Sequence, residues 1–156
     1  MPLQAVVLPP RCVAAETIRN QGTIFAPAGL GRVGFVSATD VAAVAAAVLT
    51  SDGHEDQTYV LTGPEALAFT DVAPRFSAVF GREVDYDDMP VPLAKDQLLA
   101  SGLTNWQTEG TLELFDWIRH GGTDVMTSTV RDVTGAEART IDDWLSDQHT
   151  RFLVPR

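Results

Sequence analysis

The residues Gly29-Leu30-Gly31-Arg32-Val33-Gly34 match the spacing G-x-G-x-x-G, with which a chain brings its backbone close to a pyrophosphate. That chemistry needs a strand before the glycines, a helix starting within them and an acid about twenty residues on. The helix start matters because its free N–H groups and positive dipole end hold the phosphates. Here the glycines run into Val33, Phe35 and Val36, which read as a strand, and the helix begins only after Ser37. Asp52, at the offset of the ribose-binding acid, falls in an Asp-Gly turn. The arrangement is strand, loop, strand, so no helix dipole is expected to point at the glycines and the pattern is read as coincidental.

The remaining reactive residue types are scattered. His54, His120 and His149 share no metal-ligand spacing, so no metal site is expected. His54 reads as solvated in a turn, and His120 as a helix C-terminal residue whose charged form suits the dipole. Cys12 is the single cysteine, which excludes an intrachain disulfide and a multi-cysteine zinc site; it reads as a small buried apolar residue. Asp85, Asp87 and Asp88 lack the Asp and glycine spacing of a calcium loop and read as a solvated acidic loop. Asp40 reads as a capping partner, Asp142 and Asp143 as acids of a first helical turn, and Trp106 and Trp117 as core residues. No residue is identified as catalytic acid, base or nucleophile.

At 156 residues the chain fits a single domain, 1–156, with 45% hydrophobic and 21% charged residues. A formal net charge of −10 repels nucleic acid and anionic membranes, and the 11 lysines and arginines form no basic stripe. The apolar N-terminus is short, lacks a basic lead-in and runs into Pro9-Pro10, so it reads as neither signal peptide nor membrane span. A cytoplasmic location is the default expectation.

The elements follow from periodicity and caps. Residues 3–8 and 33–36 read as short buried strands, residues 11–20 as a modest helix, residues 23–26 as extended, and residues 57–62 as a third buried strand. Ser37 and Asp40 stand in capping-box relation before Val41, Val44, Ala45, Val48 and Leu49, one apolar helical stripe. Strand, helix, strand across residues 33–62 therefore reads as a parallel crossover. Thr70 is expected to cap a helix carrying Val72, Phe76, Val79 and Phe80 to Gly81, with Pro74 in its first turn. Pro92 opens a helix to about Gly102, Thr104 with Gln107 caps one running to His120, a short helix follows Ser128, and Thr140 with Asp143 caps a terminal one. The class is α/β, with about three parallel strands and a helical C-terminal region. So thin a sheet leaves strand edges open, which predicts a homo-oligomer or a partner chain covering them.

The runs Gly22-Thr23-Ile24-Phe25-Ala26-Pro27-Ala28-Gly29, Gly31-Arg32-Val33-Gly34-Phe35-Val36 and Thr39-Asp40-Val41-Ala42 resemble the later half of NmrA-like proteins, atypical members of the short-chain dehydrogenase/reductase superfamily. Thr58-Tyr59-Val60-Leu61-Thr62-Gly63-Pro64, residues 70–81 and Arg139-Thr140-Ile141-Asp142-Asp143-Trp144-Leu145 match further motifs in the same order. The resemblance implies a partial Rossmann-like fold whose C-terminal region lies on the substrate side. It also implies that the N-terminal glycine-loop half is absent, together with the Tyr-x-x-x-Lys active-site motif, which this sequence does not contain. The family's Leu-Arg-Pro becomes Leu8-Pro9-Pro10, and Ser37 replaces a frequent aspartate.

Ligands of open α/β sheets sit at strand ends, which points to Pro10 and Arg11, to Phe25, Ala26 and Pro27, and to Thr62 and Gly63. In the family it resembles, the counterparts of Pro10 and of the Phe25 loop border the nicotinamide and substrate pocket; with the strand ends, this assigns Pro10 and Arg11 to the cofactor, and Phe25, Ala26, Pro27, Thr62 and Gly63 to the wall of a substrate pocket. The implied chemistry is hydride transfer between NADP or NAD and a small carbonyl or quinone substrate. Three readings stay open: an oxidoreductase half, a non-catalytic regulatory or partner-binding module, and a truncated remnant without activity. Binding of NADP(H) separates the first two from the third, in which the chain need bind no dinucleotide, and turnover separates the first from the second.

Overall fold

The helix starts are the best-written features of the sequence, and they position the rest. The computed structural model describes residues 13–152. Their elements are α1 (Val13–Gln21), β1 (Thr23–Phe25), β2 (Arg32–Val33), α2 (Ala38–Thr50), β3 (Leu67–Ala68), α3 (Phe69–Phe80), β4 (Asp85–Asp87), α4 (Val91–Ala100), α5 (Asn105–Arg119), α6 (Thr129–Thr134) and α7 (Ile141–Phe152). At α5 the box is complete: Gln107 N donates to Thr104 Oγ1 (3.3 Å) and Thr104 N to Gln107 Oε1 (3.0 Å). At α7, Asp143 N donates to Thr140 Oγ1 (3.1 Å) and Thr140 N to Asp143 Oδ2 (3.0 Å). Each box satisfies amides that a helix start leaves bare.

Two starts differ from expectation. At α2, Asp40 N donates to Ser37 Oγ (3.1 Å), but the Asp40 carboxylate does not reach back. It is only 7% exposed and accepts from the backbone N of Arg139 (2.9 Å), tying α2 to the entrance of α7. At α3, the cap falls at Ala68, and the Asp71 carboxylate accepts from Ala68 N (3.0 Å). Thr70 is already inside the helix, so Pro74 lies in the second turn and leaves the Thr70 carbonyl without its helical donor. Thr70 is exposed, and water can take that bond.

The fold is α/β, and strand pairing is sparser than the apolar runs suggest. β1 pairs in parallel with β4, Ile24 opposite Tyr86, while β2 pairs antiparallel with β3, Val33 opposite Leu67. The parallel connection thus joins β1 to β4 instead of flanking α2. Residues 33–36 contribute β2 and one bridge residue, Val36, and residues 57–62 contribute a bridge at Val60. Side chains replace the missing ladder there. Thr127 Oγ1 donates to the Val60 carbonyl (2.8 Å), and Thr127 N donates to Thr62 Oγ1 (3.0 Å). The strand expected at residues 3–8 lies outside the described residues, as do Cys12 and the side chain of His149.

The main core gathers Ile18, Ile24, Val33, Phe35, Phe69, Val72, Phe76, Ile118 and Leu145 from both halves of the chain. Phe69 is its hub, edge-on to Phe35 (5.7 Å between centroids) and stacked on Tyr86 (5.6 Å). A second cluster, Val36, Val44, Leu61 and Val130, sits between α2 and α6. Because α6 is six residues long, Val41, Val44 and Val48 are covered, while Leu49 is 84% exposed instead of completing the stripe. Trp106 and Trp117, expected in the core, are exposed as well. Among the described residues no helix is long and apolar enough to cross a membrane.

Candidate substrate-side site

Phe25 ends β1 and the loop after it contains two more of the expected wall residues, Ala26 and Pro27; four long-range contacts fix its shape. Ala26 N donates to the Asp87 carbonyl (3.3 Å), extending the β1–β4 pairing by one bond. Tyr86 Oη donates to the Ala26 carbonyl (2.9 Å), and Arg119 Nε donates to the Pro27 carbonyl (3.1 Å). Gly29 N donates to Asp88 Oδ1 (3.0 Å), the same oxygen that pairs with Arg119 Nη2. The Asp88–Arg119 pair therefore clamps the loop between β4 and the last turn of α5. Ala26 and Pro27 are buried and Phe25 is half-buried.

The electrostatics fit a fixed clamp. Burial alone would raise the Asp88 carboxyl, but the Gly29 N–H and the Arg119 guanidinium outweigh it and hold its pKa below the usual value. Burial, with the Asp88 charge nearby, pushes the Tyr86 phenol up to about 12. Tyr86 is therefore a neutral hydrogen-bond donor, not a base. Asp85, Asp87 and Asp88, read as a solvated acidic loop, are all exposed, but Asp85 and Asp87 lie on β4 and Asp88 is in addition engaged by three partners.

The glycine motif is explained by the same packing. Gly29 has φ +57°, a left-handed conformation, and its missing side chain leaves room for the Arg119 guanidinium. A Cβ at Gly31 would collide with the backbone carbonyl of Ile118, and one at Gly34 would lie 2.9 Å from Thr62 Cβ. β2 follows the first glycines and α2 begins at Ala38, so no helix N-terminus lies within the motif. The glycines let α5 and Thr62 approach this backbone closely.

Thr62 and Gly63 form a separate group. Thr62 is buried with its hydroxyl engaged by Thr127, and Gly63 borders an open groove with Pro64, Met126, Ser128, Val130 and Arg131. Phe25, Ala26 and Pro27 do not line that groove. Pro10 and Arg11, the expected cofactor contacts, lie outside the described residues. None of these five residues offers a free proton-transfer group. Among the described residues no group of three His, Cys, Asp or Glu is placed to hold a metal ion. Sequence reasoning missed Tyr86, Arg119 and Thr127, whose partners lie 60 to 92 residues away.

Fold and site define a partial Rossmann-like α/β unit, and comparisons with known proteins agree. A new type of NADPH-dependent quinone oxidoreductase from Escherichia coli shares the fold, with a TM-score of 0.78 at 24% identity; the alignment covers 86% of this chain and 49% of that one. The Citrobacter triphenylmethane reductase complexed with NADP(H) aligns with a TM-score of 0.73 at 26% identity, over 87% and 46% of the two chains. In sequence, the chain is 36% identical over 138 residues to an NAD(P)H azoreductase of Xenophilus azovorans, covering 88% of this chain and 48% of the relative. It is 34% identical over 141 residues to a (4-alkanoyl-5-oxo-2,5-dihydrofuran-3-yl)methyl phosphate reductase of Streptomyces griseus, over 90% and 49% of the two chains. No family model matches. The chain spans about half the length of the curated relatives it matches.

Proposed function

We propose that these 156 residues form the substrate-side half of an NmrA-like NAD(P)H-dependent reductase of small quinone, carbonyl or azo substrates. The observation that carries this reading is the alignment of 88% of the chain with only 48% of an NAD(P)H azoreductase at 36% identity. The loop of Phe25, Ala26 and Pro27 forms one wall of the acceptor pocket, held by Asp88, Arg119 and Tyr86. Pro10 and Arg11 border the nicotinamide. NADP or NAD supplies the hydride, and the phosphate-binding glycine loop belongs to the other half of the fold. The residues of this chain bind the acceptor, orient it and exclude water from one face.

The test is NADPH consumption with a naphthoquinone or an azo dye as acceptor. It is measured for the chain alone and for the chain joined to the glycine-loop half of the azoreductase. Turnover in the joined protein and none in the chain alone is expected. A joined protein that melts cooperatively and binds NADPH, yet reduces neither acceptor, would overturn the reading.

A further inference from the structure

We infer that the outward face of α5 is a docking surface for a basic amphipathic helix of a partner protein. α5 buries Thr108 and Ile118 and rests Leu114 and Phe115 on the core. On the opposite side, Trp106, Gly110, Glu113 and Trp117 follow one another at spacings of 4, 3 and 4, which places them on a single stripe. Trp106 is 82% exposed, far more than so large an apolar surface usually shows, and Trp117, whose indole rests against Gly122 on one side, is still 49% exposed. The two positions lie about 16 Å apart along the axis, from 1.5 Å per residue.

Gly110 sits between them, and a Cβ there would meet nothing within 4 Å. Nothing in the packing of the described residues requires glycine here, which is the poorest helix former after proline. What its absent side chain offers is a notch where another backbone can come close. A partner helix passing over that notch places its ridge between two indoles, the ridge-into-groove geometry of packed helices. Buried aromatic anchors inside a polar rim are the usual anatomy of such interfaces.

The rim identifies the partner's charge. Glu109, Glu113 and Asp116 are all exposed on or beside the stripe. Of the bases in α5 and its cap, Arg119 is held by Asp88 and the Pro27 carbonyl, and His120 lies 3.4 Å from Asp116. The face thus presents Glu109 and Glu113, neither with an ion-pair partner among the described residues, around two indoles, a pattern matched by Arg or Lys flanking an apolar stripe, with Arg also able to stack on indole. A second copy of this face would set acid against acid.

The test uses two synthetic sixteen-residue helical peptides with the same leucine stripe, one flanked by Arg and the other by Glu. They are titrated into the chain by calorimetry while tryptophan emission is followed. The Arg peptide is expected to bind at least tenfold more tightly than its Glu twin, to shift emission to the blue and to weaken with salt. Gly110→Leu is the decisive variant. Leucine favours the helix and points into open space, so it should melt no lower than the parent yet lose binding tenfold or more; Trp106→Ser should lose it similarly. Equal binding of the two peptides, or undiminished binding by Gly110→Leu, would overturn the inference. So would slower hydrogen exchange at residues 106–117 in the chain joined to a glycine-loop half than in the chain alone, both without peptide, which would give this face to that half.

Discussion

Asp88→Ala removes the carboxylate on which the loop clamp converges. Three interactions go with it: the 3.0 Å bond from Gly29 N, the pair with Arg119 and the weak 3.4 Å contact with Tyr86 Oη. The Arg119 and Asp88 side chains are 37% and 39% exposed, so their pair counts as a surface ion pair of about 0.5 kcal/mol. The Gly29 N–H to a carboxylate adds about 1 to 1.5 kcal/mol. A total of about 1.5 to 2 kcal/mol, at roughly 2 to 4 °C per kcal/mol for a chain of this size, lowers Tm by about 3 to 8 °C. Asp88→Asn can still accept from Gly29 N and should cost under about 1 kcal/mol. The assay is a thermal melt with amide hydrogen exchange, in which the alanine variant should speed exchange at Ala26 and Gly29 while leaving α2 unchanged. An alanine variant melting within about 1 °C of the parent, or indistinguishable from the asparagine variant, would refute the clamp.

Gly31→Ala forces a Cβ into the Ile118 backbone and should destabilise by about 2 kcal/mol or more, read as an earlier melt; a neutral result would mean that α5 does not approach this loop as described. Thr108 is fully buried with a hydroxyl that has no partner among the described residues, so isosteric Thr108→Val should raise stability by about 1 kcal/mol in urea unfolding. Tyr86 titrates higher in the fold than in the unfolded chain. Its contribution is therefore fully present below pH 10 and is lost as pH rises toward about 12, a loss that Tyr86→Phe should abolish in alkaline melts. Asp88 has the opposite sign: its folded pKa is lowered, so its contribution holds above the ordinary carboxylate range and fades as pH falls through it.

What could be read from the sequence was local. The Thr104–Gln107 and Thr140–Asp143 boxes, and the closing of α3 at Gly81, depend on residues within one or two turns, and each appears where the spacing places it. The glycine motif could be set aside because its context was wrong, although its reason, close approach by Ile118 and Thr62, lies 28 to 87 residues away. Strand pairing is non-local. An apolar run such as residues 57–62 shows that the chain is half-buried but not that Thr127 will take up its polar groups. Trp106 and Trp117 illustrate the same limit, because helical spacing puts them on one face without saying which face meets the core. The clamp left no signal at all, since Gly29, Asp88 and Arg119 converge only once β1, β4 and α5 are assembled.

The most direct measurement of the central claim is a melt of the chain with and without millimolar NADPH, repeated for the chain joined to a glycine-loop half. A ligand at a hundred times its Kd adds about 2.7 kcal/mol, or roughly 5 to 10 °C here. A substrate-side half should show that shift in the joined protein and none in the chain alone. A full shift in the chain alone would contradict the claim, because these residues would then hold a dinucleotide site of their own.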